Sequence, residues 1–459
     1  MLWWLIDRIS EKQTRRAKAF GFFFALRFPD CAQWQLTMDR TMQRQNDAQQ
    51  RTNDFNLALR RNLRAVPCLR AGQRFMVIAP VLVPFFAHYG QDIQEIFLLE
   101  SLYALTILLM EVPSGYLADR FGRVVVLRVG GVLWAAAWLL LLAVEGFSGL
   151  AVFNVLAGLG SSLLSGADLA LLYDSERLLA GDQPERPNRA VRNLFVIGMG
   201  AEGLASLSAT LILFNGGIPA VVAAQALCGL LVLIAALFLR EPARWQPELT
   251  AAQTPAHWGW AGQWRALQAA LVALWQQSLF MRRLLVALCL WPALTVLAIW
   301  LVQRVWVELE LTLMHFGWIW CLLQLLGAGT GHIAHDAERL LGARRTIELI
   351  GVLATLGVLL LTVNQLTAAL VGSMLLFIAR GLFGVLFMDA LNRRIDSDYR
   401  ATINSLLGFG FRSSFLLIAP VLGWVFEAFG LRASVFSLAA LAAVAGLILL
   451  APLARSIDS

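Results

Sequence analysis

The stretch GYLADRFGRVVVL, Gly115 to Leu127, lies where one long apolar run ends and the next begins. It packs one carboxylate, Asp119, and two arginines, Arg120 and Arg123, around two glycines, Gly115 and Gly122. Glycines let two helices leave a short link close together. Opposite charges then pin the helix ends by pairing rather than by apolar contact. The pattern predicts a hinge in a membrane protein that moves.

Composition points to a membrane independently. Of the 459 residues 59% are hydrophobic and 15% charged, and the mean hydropathy is +0.67. That is more apolar surface than a soluble core can bury. A crossing needs roughly 20 mostly apolar residues with every backbone hydrogen bond made internally, so the runs are expected to be helices. Twelve are read, at 74–89, 95–117, 124–144, 149–173, 193–214, 217–239, 283–303, 311–334, 346–363, 366–391, 401–426 and 432–454.

Arginines set the orientation, because basic residues in short loops stay on the cytoplasmic side. Alternate connections carry Arg120 and Arg123, then Arg177, Arg186, Arg189 and Arg192, then Arg240 to Arg282, then Arg339, Arg344 and Arg345, then Arg393, Arg394 and Arg400. The opposite connections hold only Arg304 and Arg432. Both termini are therefore expected in the cytoplasm, in an inner (plasma) membrane. The net charge of +7 follows from this bias and from the basic start, so no nucleic-acid partner is expected. Five cysteines, with Cys228, Cys289 and Cys321 inside predicted spans, form no disulfide framework.

Residues 1–70 are polar and basic, with apolar pieces too short to cross, and are expected to form a flexible cytoplasmic tail or to follow a start misassigned from Met38 or Met42. Residues 71–240 hold six spans and 283–459 six more. Between them 241–282 reads as a proline-bearing cytoplasmic linker, in which Trp264, Leu267, Leu271, Leu274 and Trp275 fall at the spacing of an amphipathic helix lying in the membrane interface. The halves echo each other. GHIAHDAERLLGAR, Gly331 to Arg344, follows the second span of the second half as GYLADRFGR follows the second span of the first, 216 residues on, from 115 to 331. A repeat of six helices suits a transporter that holds its substrate near the midplane, where the halves meet.

With these residues in view, the chain resembles the major facilitator superfamily of transporters. GYLADRFGR is similar to the loop between that family's second and third spans, and LLMEVPSGYLADRFGR with SGADLALLYDS resembles bacterial drug and metabolite carriers. The resemblance covers about residues 70–455 and implies an all-α integral membrane fold of twelve helices in two pseudo-symmetric six-helix bundles. It implies that Asp119 and Arg123 join Asp174 in a charge network holding the outward-facing state, with Asp336, Arg344 and Asp389 as the second-half counterpart. Two features depart from the family pattern. The fourth span carries Asn154 where many proton-coupled members place an arginine, and the fifth has Gly198, Gly200 and Gly203 without a proline–glycine pair, which argues against classical multidrug antiport.

An ionisable group near the bilayer centre costs at least about 2.5–3.5 kcal/mol and is usually kept for a partner or a pathway. Glu202 in the fifth span, Arg380 in the tenth and Arg412 in the eleventh are mid-span, with Glu100 and Asp168 as further candidates. Glu202 is read as a proton carrier, and Arg380 and Arg412 as holding an anionic group or a carboxylate. Interhelical ion pairs that never meet substrate are the competing reading for each. Tyr103, Asn154, Gln324, Trp300 and Trp320 are candidate cavity lining. His332, His335 and Asp336 have a spacing that can bind a metal, but their place in a loop favours a solvated turn. No nucleotide-binding loop is found, and neither enzyme activity nor a cofactor is expected.

The reading is a secondary active transporter of a small organic solute, working by alternating access as a monomer in membrane lipid, coupled to protons or another ion, with efflux favoured over uptake. The alternative is a transport-inactive relative acting as a membrane sensor or accessory subunit.

Overall fold

This computed structural model describes residues 29–180, 189–241, 275–394 and 400–455, with single positions at 265, 268 and 272. All regular structure among the described residues is helical. The first half contains α1 (Pro29–Arg74), a 3₁₀ turn (Ala79–Val81), α2 (Leu82–His88), α3 (Ile93–Phe121), α4 (Arg123–Leu140), α5 (Gly146–Leu164), α6 (Ala167–Ala180) and α7 (Arg189–Leu237). The second contains α8 (Leu279–Glu308), α9 (Leu313–His332), α10 (Ala334–Leu341), α11 (Ala343–Leu360), α12 (Leu366–Asn392) and α13 (Arg400–Ala445).

Among the described residues nine helical stretches are long and apolar enough to cross a membrane. Two of them fold back at one glycine each, Gly217 in α7 (φ 62°, ψ −156°) and Gly430 in α13 (φ 81°, ψ 177°), and so hold two crossings apiece. The twelfth is α11, whose 18 residues reach about 27 Å at the rise of an α-helix but carry two arginines and a glutamate near the start. The fold is an all-α integral membrane one of twelve crossings in two pseudo-symmetric bundles. Matching helix pairs in the two halves pack through glycines. A Cβ at Gly160 would stand 2.7 Å from the Trp134 nitrogen between α5 and α4, and one at Gly357 would stand 2.8 Å from the Gly372 carbonyl between α11 and α12. Small residues are what let membrane helices approach to this distance.

The first crossing starts upstream of the expected 74–89. Residues 29–70, expected as a flexible tail, are helical. From Arg61 onward Asn62, Val66, Leu69 and Gln73 recur on one buried face. Buried Asn62 donates to Ser175 Oγ (3.1 Å) and to the Arg240 carbonyl (2.7 Å), and its Oδ1 accepts the Arg240 N–H (2.9 Å). One amide thus ties the first crossing to α6 and to the end of α7. The chain leaves the helix after Arg74, and two buried glutamines satisfy the freed backbone groups. Gln225 accepts from the Val77 N–H (2.8 Å), and Gln303 accepts from the Val83 N–H (3.0 Å) while donating to the Ala79 carbonyl (2.9 Å). A break at membrane depth is tolerated only with such partners.

The fourth crossing, expected to run unbroken over 149–173, is two helices. Ser165 takes an extended conformation (ψ 131°) and Gly166 a left-handed one (φ 87°), which separates α5 from α6. The linker helix is described only in part. Arg265, Gln268, Val272, Trp275, Gln276 and Gln277 are helical and exposed, whereas Trp264, Leu267, Leu271 and Leu274 lie outside the described residues.

The halves approach closely at the end away from the Gly115–Arg123 turn, here called the far end; the other is the basic end. A Cβ at Gly423 in α13 would lie 3.1 Å from Gln94 Cα in α3, and one at Gly317 in α9 would lie 2.5 Å from the Ser206 carbonyl in α7. Trp300 of α8 stacks on Phe97 of α3 (centroids 5.9 Å) and meets Phe415 of α13 edge-on (5.2 Å).

Candidate functional site

Below that aromatic contact, helices of both halves present charges halfway along their length. Glu202 lies midway along the first arm of α7, and its Oε1 takes a hydrogen bond from Arg74 Nη1 at 2.8 Å. Arg74 is the last residue of α1, where the first crossing breaks, so the break directs its guanidinium toward α7 instead of into a neighbouring turn. The pair is not dry: the side chains are 53% and 31% exposed. One turn earlier Arg70 Nη2 stands 2.6 Å from Asp168 Oδ2, and Asp168 is fully buried. Asp168 Oδ1 also accepts the Leu169 N–H (2.7 Å), so the break before α6 leaves a free amide for this carboxylate. Gly198 lets both arginine stems through, since the Cγ atoms of Arg74 and Arg70 lie 3.5 and 4.0 Å from where its Cβ would be.

The third pair joins the halves. Arg412 Nη1 of α13 donates to Glu111 Oε2 of α3 at 3.1 Å, with about a fifth of each side chain exposed. Arg380, halfway along α12, is exposed on the side of the helix opposite exposed Val371. A charge at mid-span is kept off lipid, so Arg380 faces a water-accessible vestibule between the helices, within electrostatic reach of Glu202 and Arg74 of the other half. Among the described residues Arg380 has no hydrogen-bond or ion-pair partner, and neither has Glu100. Glu100 is one turn from Tyr103, which lies beside Ser161 and within the fields of Glu100, Arg412 and Arg74. The structure thus brings Glu202 and Arg380 within reach of Arg74, whereas Arg412 is paired with Glu111.

Other expected cavity residues are packing. Asn154 is buried and donates to the Leu150 carbonyl of its own helix (3.0 Å). Trp320 is buried against Phe377 (centroids 5.8 Å). Gln324 is half-buried on α9.

At the basic end the first-half turn pairs Arg123 of α4 with Asp174 of α6. The Asp119 side chain lies outside the described residues; Gly115 and Arg120 are exposed. Gly122 takes φ 95°, ψ 146°, and Glu241, just past α7, accepts the Val124 N–H at 2.7 Å, capping α4 from a distance. Asp336, Arg344 and Asp389, expected as one counterpart network, do not pair with one another. Asp336 meets Arg339 (3.5 Å), Arg344 meets Glu348 (3.1 Å), and Asp389 meets Arg393 (2.6 Å) and His335 (3.5 Å). The reason is an intervening helix. Asp336 lies in α10, which starts afresh after the break at Ile333 and sets Asp336 against Arg339 of the same helix, while His335 reaches Asp389 of α12.

Sequence reading missed Arg70, Arg74, Glu111 and Glu241. Arg70 and Arg74 fell at or beyond the edge of a hydropathy window that their own charges depress. A signal was there: two arginines one helical turn apart run straight into an apolar segment.

The sequence model of the Major Facilitator Superfamily matches residues 69–411. No curated protein sequence matches. Among solved structures, the nucleoside transporter NupG is similar at a TM-score of 0.64 and 14% identity, over 86% of this chain and 98% of that one. A POT family transporter in complex with a thioalcohol-conjugated peptide is similar at 0.65 and 14%, over 87% and 97%. A mutant of the peptide transporter POT in complex with sulfate is similar at 0.60 and 16%, over 86% and 95%.

Proposed function

Since this chain belongs to the Major Facilitator Superfamily, we propose that it is a secondary active transporter carrying a small organic solute between its two halves by alternating access, coupled to protons and working in efflux. The observation that carries the reading is the approach of Arg380 from one half to the Arg74–Glu202 pair of the other, near mid-span and with surface left open on each side chain. Charges there are expensive, and a solvated cluster shared by two bodies is where a solute would bind and where rocking would expose it alternately. Solved proteins of this shape include nucleoside and peptide transporters, which sets the size of solute to screen.

Glu202 and Glu100 are the proton-carrying candidates, and Glu111–Arg412 is the contact between halves that each cycle would strain. Arg123–Asp174 plays a different part from the latch first expected. Both residues belong to the first half, so their pair stiffens that body in every state instead of breaking at each cycle. The moving bodies are taken as 61–240 and 283–459, joined by 241–282. The first reaches back past residue 71 because Asn62 is bonded into it. The arginine bias puts the basic end and both termini on the cytoplasmic face of an inner membrane.

The test is reconstitution in liposomes under an imposed pH gradient, with a solute library spanning nucleosides, short peptides and small metabolites. Wild-type protein should move at least one solute with protons, and Glu202→Gln should abolish the coupled flux. A protein that moves none, and responds to no gradient, supports the alternative of a transport-inactive membrane sensor or accessory subunit.

A further inference from the structure

The charges of the vestibule do not balance pair by pair. Four arginines, Arg70, Arg74, Arg380 and Arg412, line it or lie directly behind it. Asp168 takes Arg70 at 2.6 Å, Glu202 takes Arg74 at 2.8 Å, and Glu111 takes Arg412 at 3.1 Å. Each of those carboxylates is committed to an arginine on a neighbouring helix. The fourth acid, Glu100, lies in the third of α3 nearer the far end and is not among the charges acting on Arg380. Arg380 is left with Glu202 as its one nearby opposite charge, and Arg74 already holds that carboxylate.

A guanidinium held at mid-span without a bonded counter-charge is costly unless a partner or a pathway uses it. Arg380 also keeps open surface on the vestibule side, so a ligand from water could reach it. The planar fork of an arginine matches a carboxylate or phosphate through two parallel hydrogen bonds. We propose that Arg380 anchors the negatively charged group of the cargo, so that the solute carried is an organic anion bearing a carboxylate or a phosphate. This rests on the transport reading above and specifies the substrate class for that same site.

The experiment uses full-length protein in detergent and acids set against neutral probes of similar shape: benzoate against benzamide, succinate against succinamide, phenyl phosphate against benzenesulfonamide, with benzylamine as a cation. Thermal stabilisation is titrated for each. At least one acid should stabilise wild-type protein where its neutral partner does not, and the carboxylate and phosphate arms show which headgroup the fork prefers. Arg380→Gln should weaken that acid at least about tenfold, the size of a lost charge-assisted hydrogen bond, and Arg380→Lys should recover part of it. The comparison of acid with neutral partner is made on wild-type protein, so it stands even where a variant folds badly. The inference is overturned if neutral or cationic probes stabilise as well as the acids, if no acid stabilises, or if Arg380→Gln binds an acid as tightly as wild type. Liposome flux separates the two levels: a protein that moves only neutral solutes refutes the anion site and leaves transport standing, whereas absence of any flux refutes transport itself.

Discussion

The two halves build the same turn from different amounts of chain. Gly122 and Gly342 have nearly the same backbone, φ 95°, ψ 146° against φ 83°, ψ 149°, and each starts the third crossing of its half. In the first half α3 runs unbroken into the turn. In the second, α9 ends at His332 and the separate helix α10 intervenes, with four more residues between the flanking glycines. Those four residues amount to about one helical turn, and they change where the charges go. Arg123 reaches across to Asp174 on another helix and Glu241 caps α4 from beyond α7. Asp336 and Arg344 find partners three and four residues away. Long-range pairs tie helices to one another, whereas local pairs decorate a helix. The first-half turn is therefore the tighter tie, and in its second-half counterpart the pair that crosses helices is the looser one of His335 with Asp389 at 3.5 Å.

Three tests sharpen this contrast. The largest effect is expected at the glycines, whose conformation is one L residues rarely adopt, at about 1–3 kcal/mol. At Gly122 an added Cβ would also meet Glu241 Oε2 at 2.8 Å, while at Gly342 nothing lies within 4 Å. Gly122→Ala should lower the melting temperature of purified protein more than Gly342→Ala, and equal shifts would break the asymmetry. Next, Asp174→Asn should cost about 1 kcal/mol, at the upper end for a half-exposed pair. Asp336→Asn should cost a few tenths at most, because that pair is largely exposed. Chemical denaturation of the two variants side by side measures the difference. The smallest effect is expected at the cap. Glu241→Ala should cost about 0.5–1 kcal/mol by freeing the first amides of α4, and faster hydrogen exchange confined to Val124–Leu127 would show it. Protection unchanged there would mean that the cap contributes nothing.

The first-half turn was legible in the sequence because its determinants are local: two glycines, alternating charge and two flanking apolar runs within thirteen residues. Its weaker echo was legible as a repeat but not as an extra helix, since GHIAHDAERLLGAR reads equally well as the end of one helix or the start of another. Twelve crossings followed from hydropathy, including the return bends at Gly217 and Gly430. The first crossing was misplaced because Arg64, Arg70 and Arg74 depress hydropathy over a helix whose buried face carries Asn62 and Gln73. Mid-span Glu202, Arg380 and Arg412 stood out as isolated charges in apolar runs. Their partners did not. Glu111 was in plain view in LLMEVPSGYLADRFGR, yet it meets an arginine 301 residues away, and pairing over such a separation leaves no local pattern. Gln225 and Gln303 were equally silent, because their role appears only once the first crossing is seen to break beside them.

Movement of the two halves about Arg74, Glu202 and Arg380 can be read directly from a distance across the basic end. Spin labels placed at exposed Phe121 and Leu340, in protein freed of its native cysteines and reconstituted in lipid, report the separation by double electron–electron resonance. Two populations are expected, and Glu202→Gln should shift the balance between them. A single distance, unchanged by Glu202→Gln and by every solute that stabilises the protein, would contradict alternating access.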